Sequence, residues 1–393
     1  MKSKEASSFA QNLTGAHPAA VPHDDSTSGT NRLWRLEALR GFAAVYVLLH
    51  HVSSSYLKLK HTIWGFPFRF GQEGVLVFFL LSGFVICYSH CLGKSNQNDF
   101  ATYLFKRGRR IFPIFIISLL LAYIIACIGS HSLIPLNFRL LAGNLFMLQD
   151  HPEKPGVFIL PFEDNMPLWS LSYEWWFYMM FYPINRWVQV DKQKYLVLAL
   201  CFLGMAINQF FPNSVCWFLV FFVIWWAGVE MAREFLATKD VTFQRQKTML
   251  VLLAFPMVWY GLTTWHWQTT GMPITFMTYP FIEFRYFLMT TVFLILALLW
   301  KKCHFIGFKP TLGWFQPLAS ISYALYVFHY PIICDLQLFP GNNYFSLDLV
   351  LRVILAFVLA WLVEAHLQKS LNSATDPWLK RRKIQTRRMD GNN

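Results

Sequence analysis

Charged residues are scarce in this chain. Only 14% of its 393 residues are Asp, Glu, Lys or Arg, and the acidic ones are the fewer, 21 against 34 basic. A soluble globular chain carries about 25% charged residues, so a water-facing surface over the whole molecule is excluded. The cysteines (Cys87, Cys91, Cys127, Cys201, Cys216, Cys303 and Cys334) are scattered, mostly within apolar stretches. They have neither the spacing of a disulfide framework nor that of a metal site, and no metal is expected. No cleavable signal peptide is visible, because the first 34 residues are polar and rich in Ser, Pro, Asn and Asp. No internal repeat shows, and no loop is long enough for a soluble domain, the longest running from about 131 to 167.

Apolar and aromatic residues fill the space that charge leaves, at 55% and 18%. A helix needs about 20 mostly apolar residues to cross a bilayer. Such stretches fall at 39–58, 74–93, 111–130, 168–187, 195–212, 215–234, 249–267, 283–300, 317–337 and 345–367. The stretch 138–148 is apolar but short, and is expected to lie at the interface or re-enter. The fold class is therefore an all-α polytopic membrane bundle with about ten transmembrane helices. The net charge of +13 sits in the loops and tails between these runs, which removes nucleic acid as a partner. Roughly four-fifths of the Lys and Arg residues fall on the amino-terminal side, which predicts that both termini are cytoplasmic. The expected domains are a disordered tail over 1–34, a transmembrane domain over 35–368 and a basic tail over 369–393. The run Lys380-Arg381-Arg382-Lys383, with Arg387 and Arg388, suits anionic lipid headgroups. The glycosylation sequon at Asn12-Leu13-Thr14 lies in the tail placed in the cytoplasm and is discounted.

An ionisable group at mid-membrane depth costs at least ~2.5 kcal/mol, so each needs a reason. In the first span Arg40 and His51 stand eleven residues apart, almost three helical turns, and share a face. Glu174 lies in the fourth span within Trp169-Ser170-Leu171-Ser172-Tyr173-Glu174. Paired with a His it would orient and polarise the imidazole. His329 lies in the ninth span, with Ser322 and Tyr326 near its face. Arg107 and Arg110, three apart before the third span, share a helix face and suit phosphate through forked hydrogen bonds. Each group also has a plainer explanation. Intramembrane His and Tyr tie helices together, and loop arginines follow membrane topology. Together they describe a cationic mouth for an anionic donor, with a His/Glu pair deeper in.

The order of these residues resembles the acyltransferase-3 family of membrane O-acyltransferases. Leu36-Glu37-Ala38-Leu39-Arg40-Gly41 followed by His50-His51 resembles its opening motif, an Arg, ten residues and a His. Glu37 stands where many members have Asp. Gly74-Val75-Leu76-Val77-Phe78-Phe79-Leu80-Leu81-Ser82-Gly83-Phe84 resembles its second-helix signature. Arg107-Gly108-Arg109-Arg110 resembles its RxxR motif. The segment Trp169 to Glu174 with Phe177-Tyr178, and Ser322-Tyr323 through Tyr326, His329 and Pro331, resemble two later signatures.

The resemblance implies transfer of an acyl group, most often acetyl from acetyl-CoA, to a carbohydrate hydroxyl such as a surface polysaccharide or lipopolysaccharide sugar. It implies His51 and Glu174 as catalytic residues, and Arg107 and Arg110, with Arg40, as donor-binding. Ser82, Trp169, Tyr323, Tyr326 and His329 would line the site. Acyl-CoA is a co-substrate and no permanently bound cofactor is expected. The implied location is a bacterial inner membrane, in a stand-alone form without a fused hydrolase-like domain. A proton-coupled transporter of a small solute or glycan precursor is the alternative, since buried His, Glu and Arg also serve carriers.

Overall fold

The structure, a computed structural model, describes residues 28–59, 62–92, 99–339, 345–377 and 379. The sequon at Asn12 and the basic run from Lys380 lie outside the described residues. Helices stand at each expected span: α1 Ser28–His51, α2 Gly71–Leu92 and α3 Phe100–Ser130. The short α4 Phe138–Leu145 follows, then α5 Leu168–Trp187, α6 Val190–Phe210, α7 Ser214–Thr238, α8 Phe243–Thr269 and α9 Phe281–Lys302. The chain closes with α10 Ser322–Tyr330 and α11 Phe345–Leu362. No β-strand occurs among the described residues.

Six of the helical stretches are long and apolar enough to cross a membrane, or seven if one bent pair counts as a single span. α1, α5 and α6 have the length, at 24, 20 and 21 residues, but carry more polar residues. The expected span 317–337 is not one rod. Phe308–Ser320 and Ser322–Asp335 meet at 82°. Leu312–Ser320 is wound as a 3-10 helix around Pro317. Arg40 Nη2 donates to the buried carbonyl of Ala319 at 2.8 Å, which also accepts from the Ser322 hydroxyl at 2.8 Å, so α1 and α10 both hold the chain at the bend.

Two helix ends overrun their expected limits. α1 begins at Ser28, ahead of the span expected from 39, and its Trp34 packs edge-on against Phe308 at 5.4 Å. At the other end the helical stretch runs to Pro377, with Asp376 ion-paired to Arg109 at 2.7 Å.

α7 is the centre of the bundle. In its apolar window 78% of residues are buried, against 22–44% in the other five stretches. Its crossing with α2 is set by glycine. A Cβ on Gly83 would stand 2.1 Å from the Trp225 carbonyl oxygen, and one on Gly228 2.0 Å from that of Leu80. Lipid gives no hydrophobic drive for helices to associate, so close backbone approach at small residues supplies the packing. Gly41 plays the same part in α1, where a Cβ would meet the Phe315 carbonyl at 2.1 Å.

Prolines inside helices free carbonyls that other elements then occupy. Pro113 cannot bond the carbonyl of Arg109, which instead accepts from Gln368 Nε2 at 3.0 Å. Pro331 likewise releases the carbonyl of Val327, taken by Asn165 Nδ2 at 3.0 Å. The second bond ties the 131–167 segment to α10. That segment is no peripheral loop: Gln149, Asp150, Lys154 and Asn165 are all buried.

Candidate active site

Two cavities enter the bundle from opposite ends of α1. One, of about 690 Å³, is lined by Arg40, Lys106, Arg107, Arg109 and Arg110, with Glu37 and Glu174 as its acids. Ser82, Tyr323 and Tyr326 also line it. The other, of about 370 Å³, is lined by His50, His51, Arg69, Gln72, His151 and Trp169, again with Tyr326. The first reaches the surface beside exposed Glu37, the second beside exposed Ser55.

The arginines of the first cavity differ in how far they are committed. Arg109 is held by Asp376, and Arg110 pairs with Glu364 at 3.0 Å. Arg40 is spent partly on Ala319. Arg107 makes no ion pair among the described residues. Its guanidinium stacks over Tyr103 at 5.3 Å and lies 3.4 Å from Ser89 Oγ. It is the cation with most capacity left for an anion. Tyr323 donates to the Ile111 carbonyl at 2.9 Å, next to the freed carbonyl of Arg109.

Glu174 belongs to this basic cavity. Its Oε1 accepts from Ser82 Oγ at 2.8 Å and from the Tyr178 hydroxyl. Trp225 Nε1 donates to Ser82 Oγ at 3.2 Å, closing a four-residue network across α2, α5 and α7. The expectation that Glu174 pairs with His51 is not met, since no hydrogen bond joins them among the described residues. The cause is local. Tyr178, one turn along α5, and Ser82 on α2 satisfy the carboxylate inside its own cavity, whereas His51 lines the other.

His51 ends α1, and the next turn, Val52–Tyr56, is a π-helix. Such turns re-aim side chains and are frequent at functional sites. A second π-turn, Pro331–Asp335, follows His329-Tyr330 and packs on the first. The two turns bring the histidines together, with ring centroids of His51 and His329 5.2 Å apart and Tyr330 4.9 Å from His51. His329 Nδ1 lies 2.8 Å from the Tyr326 carbonyl oxygen. That oxygen only accepts, so Nδ1 carries the proton and Nε2 presents its lone pair. Nε2 is buried with no partner among the described residues. His51 thus packs among the rings of His50, His329 and Tyr330, where the sequence pointed to a carboxylate.

His151 and Lys154 did not emerge from the sequence, and Tyr178 emerged only as part of a motif, without a site role. Lys154 Nζ donates to Asp150 Oδ1 at 3.1 Å and to the Tyr173 hydroxyl at 2.6 Å, and lies 4.5 Å from the Trp169 ring centre. Tyr173 in turn donates to Asp150 Oδ2 at 2.7 Å. Burial raises the Asp150 pKa and lowers that of Lys154, and their mutual attraction opposes both shifts. This buried knot fixes the backbone that carries His151 into the second cavity. Burial first, and the Lys154 charge second, push the His151 imidazole down to about 3, so it stands neutral. The one signal in the sequence was an Asp and a Lys four apart in a loop, a spacing common on any surface.

An apolar helical bundle with histidines and arginines drawn inward defines an integral membrane protein built around a buried polar site. Comparison with known proteins gives its class. The acyltransferase-3 model, described as an acyltransferase domain, matches residues 33–365, and the chain belongs to that family. It is also 30% identical over 169 residues to Acyltransferase MdmB of Streptomyces mycarofaciens, a match covering 41% of this chain and 42% of that one. The matched stretch thus spans about two-fifths of the curated relative. No solved structure matches the chain.

Proposed function

We propose that this protein is a membrane O-acyltransferase that moves an acyl group, acetyl by the family's habit, from acyl-CoA to a carbohydrate hydroxyl. In this reading about ten helices cross a bacterial inner membrane, the broken ninth among them, with both termini and the basic cavity facing the cytoplasm. The acceptor is a cell-surface polysaccharide or lipopolysaccharide sugar. The observation that carries the reading is the opposition of the two cavities, one arginine-lined and one histidine-lined, with Tyr326 common to both.

The phosphates of acyl-CoA lie against Arg107 and Arg110, with Arg40 at the rim, and the thin pantetheine arm runs inward past Tyr323 and Ser82. Glu174 closes the inner end of that path through its bonds to Ser82 and Tyr178. The acceptor hydroxyl enters the second cavity, beside Trp169. His51 takes its proton, and the oxygen attacks the thioester carbonyl. The carbon–sulfur bond breaks, the acyl group stays on the acceptor oxygen, and the leaving thiolate recovers the proton from His51. His329 Nε2, behind His51 and without a partner among the described residues, offers its lone pair to the imidazolium that forms when His51 takes the proton.

The test compares cell-surface glycans by NMR with and without the gene, and with a His51→Ala copy restored. A lost O-acyl resonance that the native copy restores and the His51→Ala copy does not is the expected result. Unchanged glycans in all three would remove this acceptor class.

A further inference from the structure

Tyr326 lines both cavities, and no other of the described residues is common to their linings. The neighbouring side chains divide around it. On α2, Val75 faces the histidine-lined cavity while Phe78 and Phe79, one turn on, face the basic one. On α5, Trp169 faces the histidine-lined cavity and Ser170 the basic one. Between them the Tyr326 hydroxyl lies 2.7 Å from Ser170 Oγ and donates to the Pro167 carbonyl at 3.1 Å. Its ring packs edge-on against Phe78 at 5.4 Å. Both Tyr326 and Ser170 are buried, at 6% and 5% exposed.

From this geometry we infer that Tyr326, latched to Ser170, is a one-side-chain-thick partition between two water-accessible cavities, and that it decides what passes between them. The inference rests on the two-cavity reading above and goes beyond it. A thioester delivered from the basic side must displace this ring to reach His51. When no donor is present the ring keeps water and protons from crossing. Hydroxyl–hydroxyl bonds inside a membrane are weak enough to open for a ligand and to close again. The ring also stands 6.0 Å from that of His329, so its displacement opens directly onto the imidazole pair. Without the partition, water would reach the thioester and acyl-CoA would be hydrolysed to the free acid and coenzyme A thiol.

The test uses the full chain in liposomes loaded with a pH-sensitive dye, with no acyl-CoA present. Tyr326→Ala is expected to leak protons several-fold faster than the native protein after a pH jump, and Tyr326→Phe, which keeps the ring, to stay near the native rate. If the alanine protein does not fold, Tyr326→Leu supplies the same comparison in an apolar side chain. A well-folded Ala or Leu variant that leaks no faster than native would overturn the inference. A second readout adds acetyl-CoA alone and follows free thiol, where the same variants are expected to release it several-fold faster. A faster leak with no thiol release from any variant would leave the partition standing and count against acyl-CoA as the donor, so the two claims fail separately.

Discussion

His329 sets its ring 5.2 Å from that of His51 while its own Nδ1 is turned back onto the carbonyls of Leu325 and Tyr326. A helix therefore dictates the tautomer of one histidine, and that histidine offers a fixed acceptor beside the other. The relationship separates their roles. His51 lines the cavity where an acceptor would sit, and His329, fully buried, does not.

Replacing His51 by Ala should lower acyl transfer by about 10²–10⁴-fold, the usual worth of a positioned general base. His329→Gln should cost less, about tenfold in kcat, the equivalent of one hydrogen bond near 1.4 kcal/mol. It should also shift the pH–rate profile, which loss of packing alone would not do. Steady-state assays with purified protein over a range of pH measure both. Equal losses in the two variants with an unshifted profile would put His329 in a purely structural role.

Arg107→Ala should raise the KM for acyl-CoA by about 10- to 100-fold, matching a charge-assisted hydrogen bond of about 1.5–3 kcal/mol. Its kcat should change little, because the reacting atoms lie beyond Tyr326. Arg109→Ala serves as the comparison, since Arg109 is already engaged by Asp376. A KM unchanged by Arg107→Ala would reduce that arginine to a topology signal.

The Asp150–Lys154–Tyr173 knot makes a stability prediction. Lys154→Met leaves the Asp150 carboxylate buried without its cation and should cost about 3–5 kcal/mol. The double variant Asp150→Asn/Lys154→Met removes both charges and should recover part of that loss. Thermal unfolding in detergent reads both. A double variant as unstable as the single one would mean that packing, not charge, holds this segment.

His151 predicts how stability responds to acid. Its folded pKa is depressed to about 3 from an ordinary 6.5. Between those values the unfolded chain binds the proton and the folded one does not, so stability falls as pH drops below 6.5. The midpoint of thermal unfolding should therefore decline from pH 7 to pH 5, and decline less in His151→Gln. An equal decline in both would assign the acid sensitivity to other groups.

The sequence revealed the helices more fully than the site. Apolar runs marked every long helix, because lipid demands about 20 apolar residues per crossing whatever the packing. The shared faces of Arg40 with His51 and of Arg107 with Arg110 followed from helical period alone. The bend near Ile321 did not, because a carbonyl there, that of Ala319, is held in part by Arg40 of another helix, a partner that local sequence does not name. The pairing of Glu174 was misjudged for a related reason. Depth along a helix is legible in sequence, but which neighbour turns toward a side chain is not. Ser82 and Tyr178 claimed the carboxylate, and paired π-turns steered His51 to His329. The 131–167 segment looked like a loop by composition, whereas its buried Gln149, Asp150, Lys154 and Asn165 make it part of the core.

The central claim is that donor and acceptor approach from opposite ends of one bundle and meet at Tyr326. Acyl-CoA does not cross lipid, so sidedness tests it directly. Protein reconstituted in one orientation is given acetyl-CoA with a labelled acetyl group on either face, with host glycan extract on the other. The account predicts label transfer only when acetyl-CoA is on the Arg107 face, and none from His51→Ala protein. Transfer from the His51 face, or equal transfer from both, would contradict it.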